Sequence, residues 1–314
     1  MAKVNSVCGP IDTANLGFTL AHEHTLIDQM GYFQDYPELF GDNVFERLVH
    51  DLKEAKKAGI DTVVDATTID LGRDVRLLHE VSCSSGVNII ACTGWWLNVP
   101  EFFAGLSPNR IAGWFIREIE QGIAGTDIKA GILKSASDVN GVTPGAELIL
   151  RAVAKAHLQT GVPIELHSYP RGQVGRQQLS VLIDEGVDPR NVKLDHSNDT
   201  TDVGYLTWIM EQGCYLGMDR YPGENVSPLD RTITMKALID AGYAGRICPS
   251  HDLLMSYIQT ASPEIAAAER LMANPHGLLY IKNVVFPKLR ELGVSEEVMN
   301  SLCVDGPRNF FEGK

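Results

Sequence analysis

The sequence predicts one α/β domain over residues 1–314, a single (β/α)₈ barrel (TIM barrel) with its chemistry at the C-terminal rim. Two observations predict it. Eight short apolar runs alternate with longer amphipathic stretches, and the ends of those runs carry histidines, a lysine and an aspartate. A barrel of this type takes about 250 residues before insertions, which suits a chain of 314.

The runs are Gly17–Ala21, Asp61–Ala66, Val87–Thr93, Lys129–Lys134, Val162–His167, Asn191–His196, Cys214–Asp219 and Arg246–Asp252. Each has strand length and is rich in Val, Ile or Leu. Several are apolar at both parities, as strands covered on both faces of a parallel sheet must be. Between them, Asn43–Gly59 places Val44, Leu48, Leu52 and Ala55 at helical spacing and stops at a glycine. Ser107-Pro108 and Thr143-Pro144 each set a capping side chain before a proline suited to a first helical turn, and the second helix runs to Gly161. Ser262-Pro263 opens a helical run inside the last long connection, and Leu279–Gly293 is expected as the closing helix. Strand–helix alternation also fits an open doubly wound sheet. A nucleotide site on such a sheet wants a glycine-rich turn after its first strand. AHEHTL stands there, and the count of eight favours the barrel.

Composition narrows the partners. A formal net charge of −13 and the lack of a basic tract disfavour nucleic acid and anionic membranes. No stretch approaches the ~20 apolar residues of a membrane span. The N-terminal residues lack the apolar core of a signal peptide, so a cytoplasmic enzyme is expected. The six cysteines are scattered, with no C-x-x-C pair. They are expected to be buried or idle thiols in a reducing compartment, neither a disulfide framework nor a zinc site.

Catalytic groups of such barrels sit at the C-terminal ends of the strands. Here those ends carry His22, Glu23 and His24, then Lys134, His167, His196 and Asp252. Residues i and i+2 of a strand share a face, so His22 and His24 would both point into the barrel and grip one ion, with Glu23 turned away. H-x-H alone is weak. Joined by His167 and His196 from two other strand ends, it indicates a metal centre. Lys134 would be tolerated beside a dication only if neutral or carboxylated to a carbamate, and burial lowers a lysine's pKa toward that chemistry. Pairing with a rim carboxylate is the alternative, and the residue pattern leaves both open. Asp252 can bind one metal and accept a proton from an attacking water. His251, facing the other way, is read as structural. A histidine and carboxylate set suits Zn²⁺ first and accommodates Fe²⁺, Co²⁺ or Mn²⁺.

These motifs carry a resemblance. GFTLAHEHTL, GRDVRLLHEVS, CTGWW, GILKSASD, VPIELHSYPRGQVGRQQLSVL, HSNDTTDVGYL, GMDRYPG, PSHD and GPRNFF follow one another from Val4 to Phe311. In this order they resemble the phosphotriesterase family of the amidohydrolase superfamily, above all its phosphotriesterase-like lactonase branch. The resemblance implies two divalent metals at the barrel mouth. His22, His24 and Asp252 match the ligands of the more buried one, and His167 with His196 those of the more exposed one. Lys134 matches a carboxylated lysine bridging both, and the implied nucleophile is a bridging hydroxide.

Arg220 matches an arginine of the lactonase branch, where phosphotriesterases carry histidine. Asp199 matches an aspartate that pairs with that position and helps remove the proton; an N-cap for a helix beginning at Thr200 is its other expected role. Trp96 departs from the lactonase pattern, which often has tyrosine there, and matches the phosphotriesterases. Tyr221 is placed with Arg220 at the substrate. Leu253, Leu254, Met255 and Tyr257, at the head of the Leu253–Gly277 loop, are expected either to form an apolar wall for an acyl chain or to pack as an ordinary loop under the following helix. Trp95–Phe103 is expected to line the pocket or a homodimer interface.

The expected activity is opening of N-acyl homoserine lactones or related γ/δ-lactones, with side activity on organophosphate triesters. Triesters as main substrates, or amide and other acyl hydrolysis, are the alternatives. A non-catalytic binding barrel is opposed by the intact ligand set.

Overall fold

The structure, a computed structural model, describes residues 2–259, 265, 269 and 272–314. A hairpin of β1 (Lys3–Ser6) and β2 (Gly9–Asp12) opens the chain. The eight apolar runs then become β3 (Thr19–Glu23), β4 (Thr62–Asp65), β5 (Asn88–Gly94), β6 (Ile132–Ala136), β7 (Ile164–His167), β8 (Val192–Leu194), β9 (Tyr215–Met218) and β10 (Ile247–Pro249). They pair in sequence order, each parallel to the next. The circle closes just beyond β10, where His24 N donates to Leu253 O at 3.0 Å and Asp252 N to His22 O at 3.2 Å. This is the (β/α)₈ barrel the alternation predicts.

The main helices are α1 (Tyr32–Asp35), α2 (Val44–Lys57), α3 (Val75–Ser85), α4 (Pro108–Glu120), α5 (Pro144–Thr160), α6 (Gly175–Asp184), α7 (Val203–Glu211) and α8 (Pro228–Asp240). The two foreseen starts hold: the Ser107 hydroxyl accepts from Arg110 N, and the Thr143 hydroxyl from Ala146 N. Such caps each stabilise by about 1 kcal/mol. Strands buried on both faces leave their apolar side chains either between sheet and helices or inside the barrel. The interior set, with Val4, Leu16, Val64, Ile90, Ile132, Tyr215 and Phe310, fills the end opposite the catalytic rim. Among the described residues, no helix is long and apolar enough to cross a membrane.

Two features depart from the sequence reading. The hairpin was not foreseen, because two four-residue strands carry little periodic signal. Tertiary contacts place it under the barrel, with Val7 N donating to Ile89 O at 2.9 Å and the Asn5 amide to Ala130 O at 3.0 Å. Leu279–Gly293 is neither one regular helix nor the last. A π-turn over Ile281–Val285 precedes Phe286–Glu291, and two more helices, Glu296–Cys303 and Asp305–Phe311, end the chain. Pro287 brings no N–H to the helical ladder, which is consistent with a widened turn at that point. The six cysteines are free thiols: Cys92, Cys214, Cys248 and Cys303 are buried, and Cys8 and Cys83 are exposed, with their sulfurs 3.2 Å apart. The Ser262-Pro263 helix start lies outside the described residues.

Candidate active site

The end of β3 delivers the first ligand group. Alternation along the strand turns His22 and His24 inward, with ring centroids 5.3 Å apart. Glu23 turns away and ties the barrel shut. Its carboxylate accepts from Ser250 Oγ (2.7 Å), Leu253 N (2.8 Å) and His251 Nδ1 (2.6 Å). His251 in turn accepts from Ile281 N at Nε2, the structural role expected of it. Asp252 Oδ1 lies 3.4 Å from both His22 Nε2 and His24 Nε2. Two ligand atoms ~2.1 Å from a shared tetrahedral ion stand about 3.4 Å apart, so these three donors fit a divalent metal.

The second group comes from β7 and the turn after β8. His167 Nδ1 and His196 Nε2 face each other at 2.9 Å. Lys134, from β6, is buried and sets Nζ 3.1 Å from His22 Nε2, while Glu165 Oε1 stands 3.9 Å from it. That carboxylate is shared with Lys193, whose Nζ lies 3.2 Å from Oε2. Lys134 therefore faces the histidines more closely than any rim carboxylate partner. Gly94 makes room for it: a Cβ there would sit 1.9 Å from Lys134 O, at a φ of +130°.

Electrostatics and strain both mark the cluster. Burial outweighs other influences at His167 and, helped by the charge of His196, lowers its pKa to about 3, so its imidazole is neutral, as a ligand must be. Burial raises the Asp252 carboxyl, but His196 and hydrogen bonds from His22 and His24 overcome it and hold the group well below the carboxylate range. His196 and Asp252 occupy left-handed backbone, with φ of 61° and 54°. Such conformations cost about 1–3 kcal/mol each and concentrate at functional sites.

At the mouth, Arg220 Nε donates to Asp252 Oδ2 at 2.9 Å and Nη1 to Asp199 Oδ2 at 2.7 Å. The other Asp199 oxygen meets the fully buried Arg231 at 2.7 Å. Asp199 is therefore no N-cap: α7 begins at Val203, and Asp202 caps it by accepting from Tyr205 N. Thr200, next to Asp199, is extended, and the chain turns at Asp202 before the helix, with Val203 N donating to Thr201 O at 2.9 Å.

A cavity of about 180 Å³ is lined by the six predicted ligands with Trp96, Leu254 and Arg220. It adjoins a cleft of about 560 Å³ lined by Arg220, Tyr221, Leu253, Leu254 and Asn274. Trp96 presents Nε1 to His167 Nδ1 at 3.5 Å, and Asp70 holds its backbone N–H. The Tyr221 ring is buried and stacks on Tyr280. Met255 does not join the apolar wall: its side chain is buried in the core beside the loop. Tyr257 is half-buried and bridges Ile27 through its backbone.

Several supporting residues escaped the sequence reading. Asp219 Oδ1 accepts from His196 N (2.7 Å) and Nδ1 (3.0 Å), and Asp195 Oδ2 lies 3.0 Å from His22 Nδ1. Both carboxylates turn the opposite nitrogens toward the shared cavity. Gly217 makes space for them, since a Cβ would lie 2.5 Å from Asp219 and 2.7 Å from Asp195. Asp219 does end a predicted strand, the same signal that flagged Asp252. Asp138, 3.3 Å from His167 Nε2, and Thr67, 2.9 Å from His24 Nδ1, lie in loops and carried no periodic signal.

Comparison with known proteins shows the family. The model of the phosphotriesterase family matches residues 2–311. The chain is 40% identical over 324 residues to a phosphotriesterase homology protein of Mycobacterium tuberculosis, covering 99% of this chain and 98% of that one. It is 36% identical over 306 residues to an aryldialkylphosphatase of Saccharolobus solfataricus, covering 96% of each. It is also 27% identical over 355 residues to an N-acetyltaurine hydrolase of Rattus norvegicus, covering 99% and 98%.

Proposed function

Since the chain belongs to the phosphotriesterase family and is a hydrolase, we propose that it opens lactones, N-acyl homoserine lactones or related γ/δ-lactones, with side activity on organophosphate triesters. The observation that carries this reading is Arg220, placed where the ligand cavity meets a long cleft edged by Leu253 and Leu254. A guanidinium there can donate to a ring ester while the acyl tail lies along the leucines.

We propose further that His22, His24 and Asp252 hold one divalent ion, His167 and His196 a second, and Lys134, carboxylated, both. The nitrogen and oxygen donors suit Zn²⁺ first, then Fe²⁺, Co²⁺ or Mn²⁺. When bound, such ions supply a nucleophilic water near neutral pH and draw charge from the ester oxygen. Asp252, ionised and held by Arg220, is placed to accept the proton of the attacking water. Arg220 does not pass that proton on, because a guanidinium stays protonated in proteins. It orients Asp252 and meets the substrate, while Asp199, anchored on Arg231, orients Arg220. A homodimer through the Trp95–Phe103 region belongs to the same proposal; Phe102 there is 68% exposed.

A second reading, triesters as main substrates, is supported by Trp96 and by the aryldialkylphosphatase among the relatives. Amide hydrolysis is supported only by the more distant N-acetyltaurine hydrolase. Parallel kcat/KM values for an acyl homoserine lactone, paraoxon and an N-acyl amide decide among them. A lactone value at least tenfold above the others supports the proposal; a triester or amide value above the lactone value overturns it.

A further inference from the structure

Far from the candidate active site, at the opposite end of the barrel, the tip of the β1–β2 hairpin meets α3. Cys8 sits at that tip, and its sulfur lies 3.2 Å from Cys83 Sγ on α3. Cys83 Sγ lies 3.7 Å from His79 Nε2, one helical turn earlier on the same face. Donor atoms of Cys8, His79 and Cys83 all fall within 4.8 Å of one another. We infer that Cys8, His79 and Cys83 form a second metal site, a surface Cys₂His site for a thiophilic divalent ion such as Zn²⁺, with its fourth position open to water.

Three arguments carry it. The donor set matches a known zinc chemistry, two thiolates and an imidazole. Sulfur and nitrogen ligands on one tetrahedral ion stand about 3.5–3.8 Å apart, given bonds of ~2.3 and ~2.0 Å. The observed 3.2 and 3.7 Å need only a small parting of the sulfurs, which two exposed side chains can make. The imidazole is the third point: His79 sits one helical turn before Cys83 and presents Nε2 to its sulfur, so one face of α3 supplies two of the three donors. Binding forms two metal–sulfur bonds and one metal–nitrogen bond, and releases the two thiol protons to solvent. It pins the N-terminal hairpin to α3 across 75 residues of chain. This site is independent of the catalytic proposal, whose ligands include no cysteine.

The test uses the full-length protein, stripped of metal, reduced, and titrated with Co²⁺ without oxygen. Sulfur-to-cobalt charge transfer absorbs in the near ultraviolet, and the all-nitrogen-and-oxygen active site cannot produce it. The expected result is a charge-transfer band whose final intensity corresponds to about one thiolate-bound Co²⁺ per chain, reached within about three added equivalents because the active site takes Co²⁺ as well; the band is lost in Cys8→Ser and in Cys83→Ser, and is lost when the exposed thiols of the folded wild-type protein are first alkylated. Hydrolytic kcat/KM of both variants should stay within about twofold of wild type. No band in the reduced protein, or a band that survives either substitution or alkylation, overturns the site.

Discussion

Arg220 holds Asp252 through a single charged hydrogen bond of 2.9 Å from Nε to Oδ2, and spends Nη1 on Asp199. The aspartate at the centre of the cluster is thus oriented from the substrate side by a group that is 33% exposed to the cleft. A hydrogen bond to a charged group is worth about 1.5–3 kcal/mol.

Removing that bond should cost about 10–100-fold in kcat/KM. Arg220→Ala should show the loss. Arg220→Lys should recover little, because an ammonium cannot reach two carboxylates with the fixed fork of a guanidinium. Lactone kinetics of both variants check this, and full activity in Arg220→Lys would contradict the positioning role.

On the proposed mechanism, Asp252→Asn removes both a metal ligand and the proton acceptor. A loss of at least about 10³-fold in kcat is expected, at the upper range of general-base effects. Chelation of the wild-type protein should abolish turnover, and divalent metal should restore it. Metal analysis on the same samples tests whether about two ions per chain accompany the recovery.

Asp219 acts on His196 from behind, so Asp219→Asn should weaken metal binding by about 10–100-fold while leaving the fold intact. Competition against a chromogenic chelator measures it. Unchanged affinity would show that the His196 ring is held by packing alone.

The metal-free protein should lose stability in acid through His167. Its pKa falls from 6.5 unfolded to about 3 folded, because burial disfavours the charged ring. The unfolded chain therefore binds a proton that the folded one does not. The contribution is fully present above 6.5 and is lost as the pH falls toward 3. His167→Asn should flatten the dependence of the urea midpoint on pH over that window. An identical pH slope in variant and wild type would refute the assignment.

How much of this was legible in the sequence differs by residue. The eight strands and the inward pairing of His22 with His24 follow from periods of two and from apolar runs, which are local. Lys134, His167, His196 and Asp252 were readable because each closes an apolar run: Lys134 lies within β6, His167 ends β7, and His196 and Asp252 follow β8 and β10 by two or three residues, at the one rim where a parallel barrel gathers such ends. Asp219 carried the same signal and was passed over beside Arg220. Asp138 and Thr67 carried none, since loop residues have no period that announces where they turn.

The sequence by itself determined the barrel, the rim that holds the chemistry, and the six side chains brought together there, because strand alternation and strand ends are local properties. Only the tertiary structure decided the rest. It turned Asp199 from a helix cap into the anchor of Arg220, sank Met255 into the core, and set Cys8 against Cys83 and His79. Each of these depends on contacts between residues far apart in the chain. Their energies come from packing and charge in three dimensions, which no local pattern records.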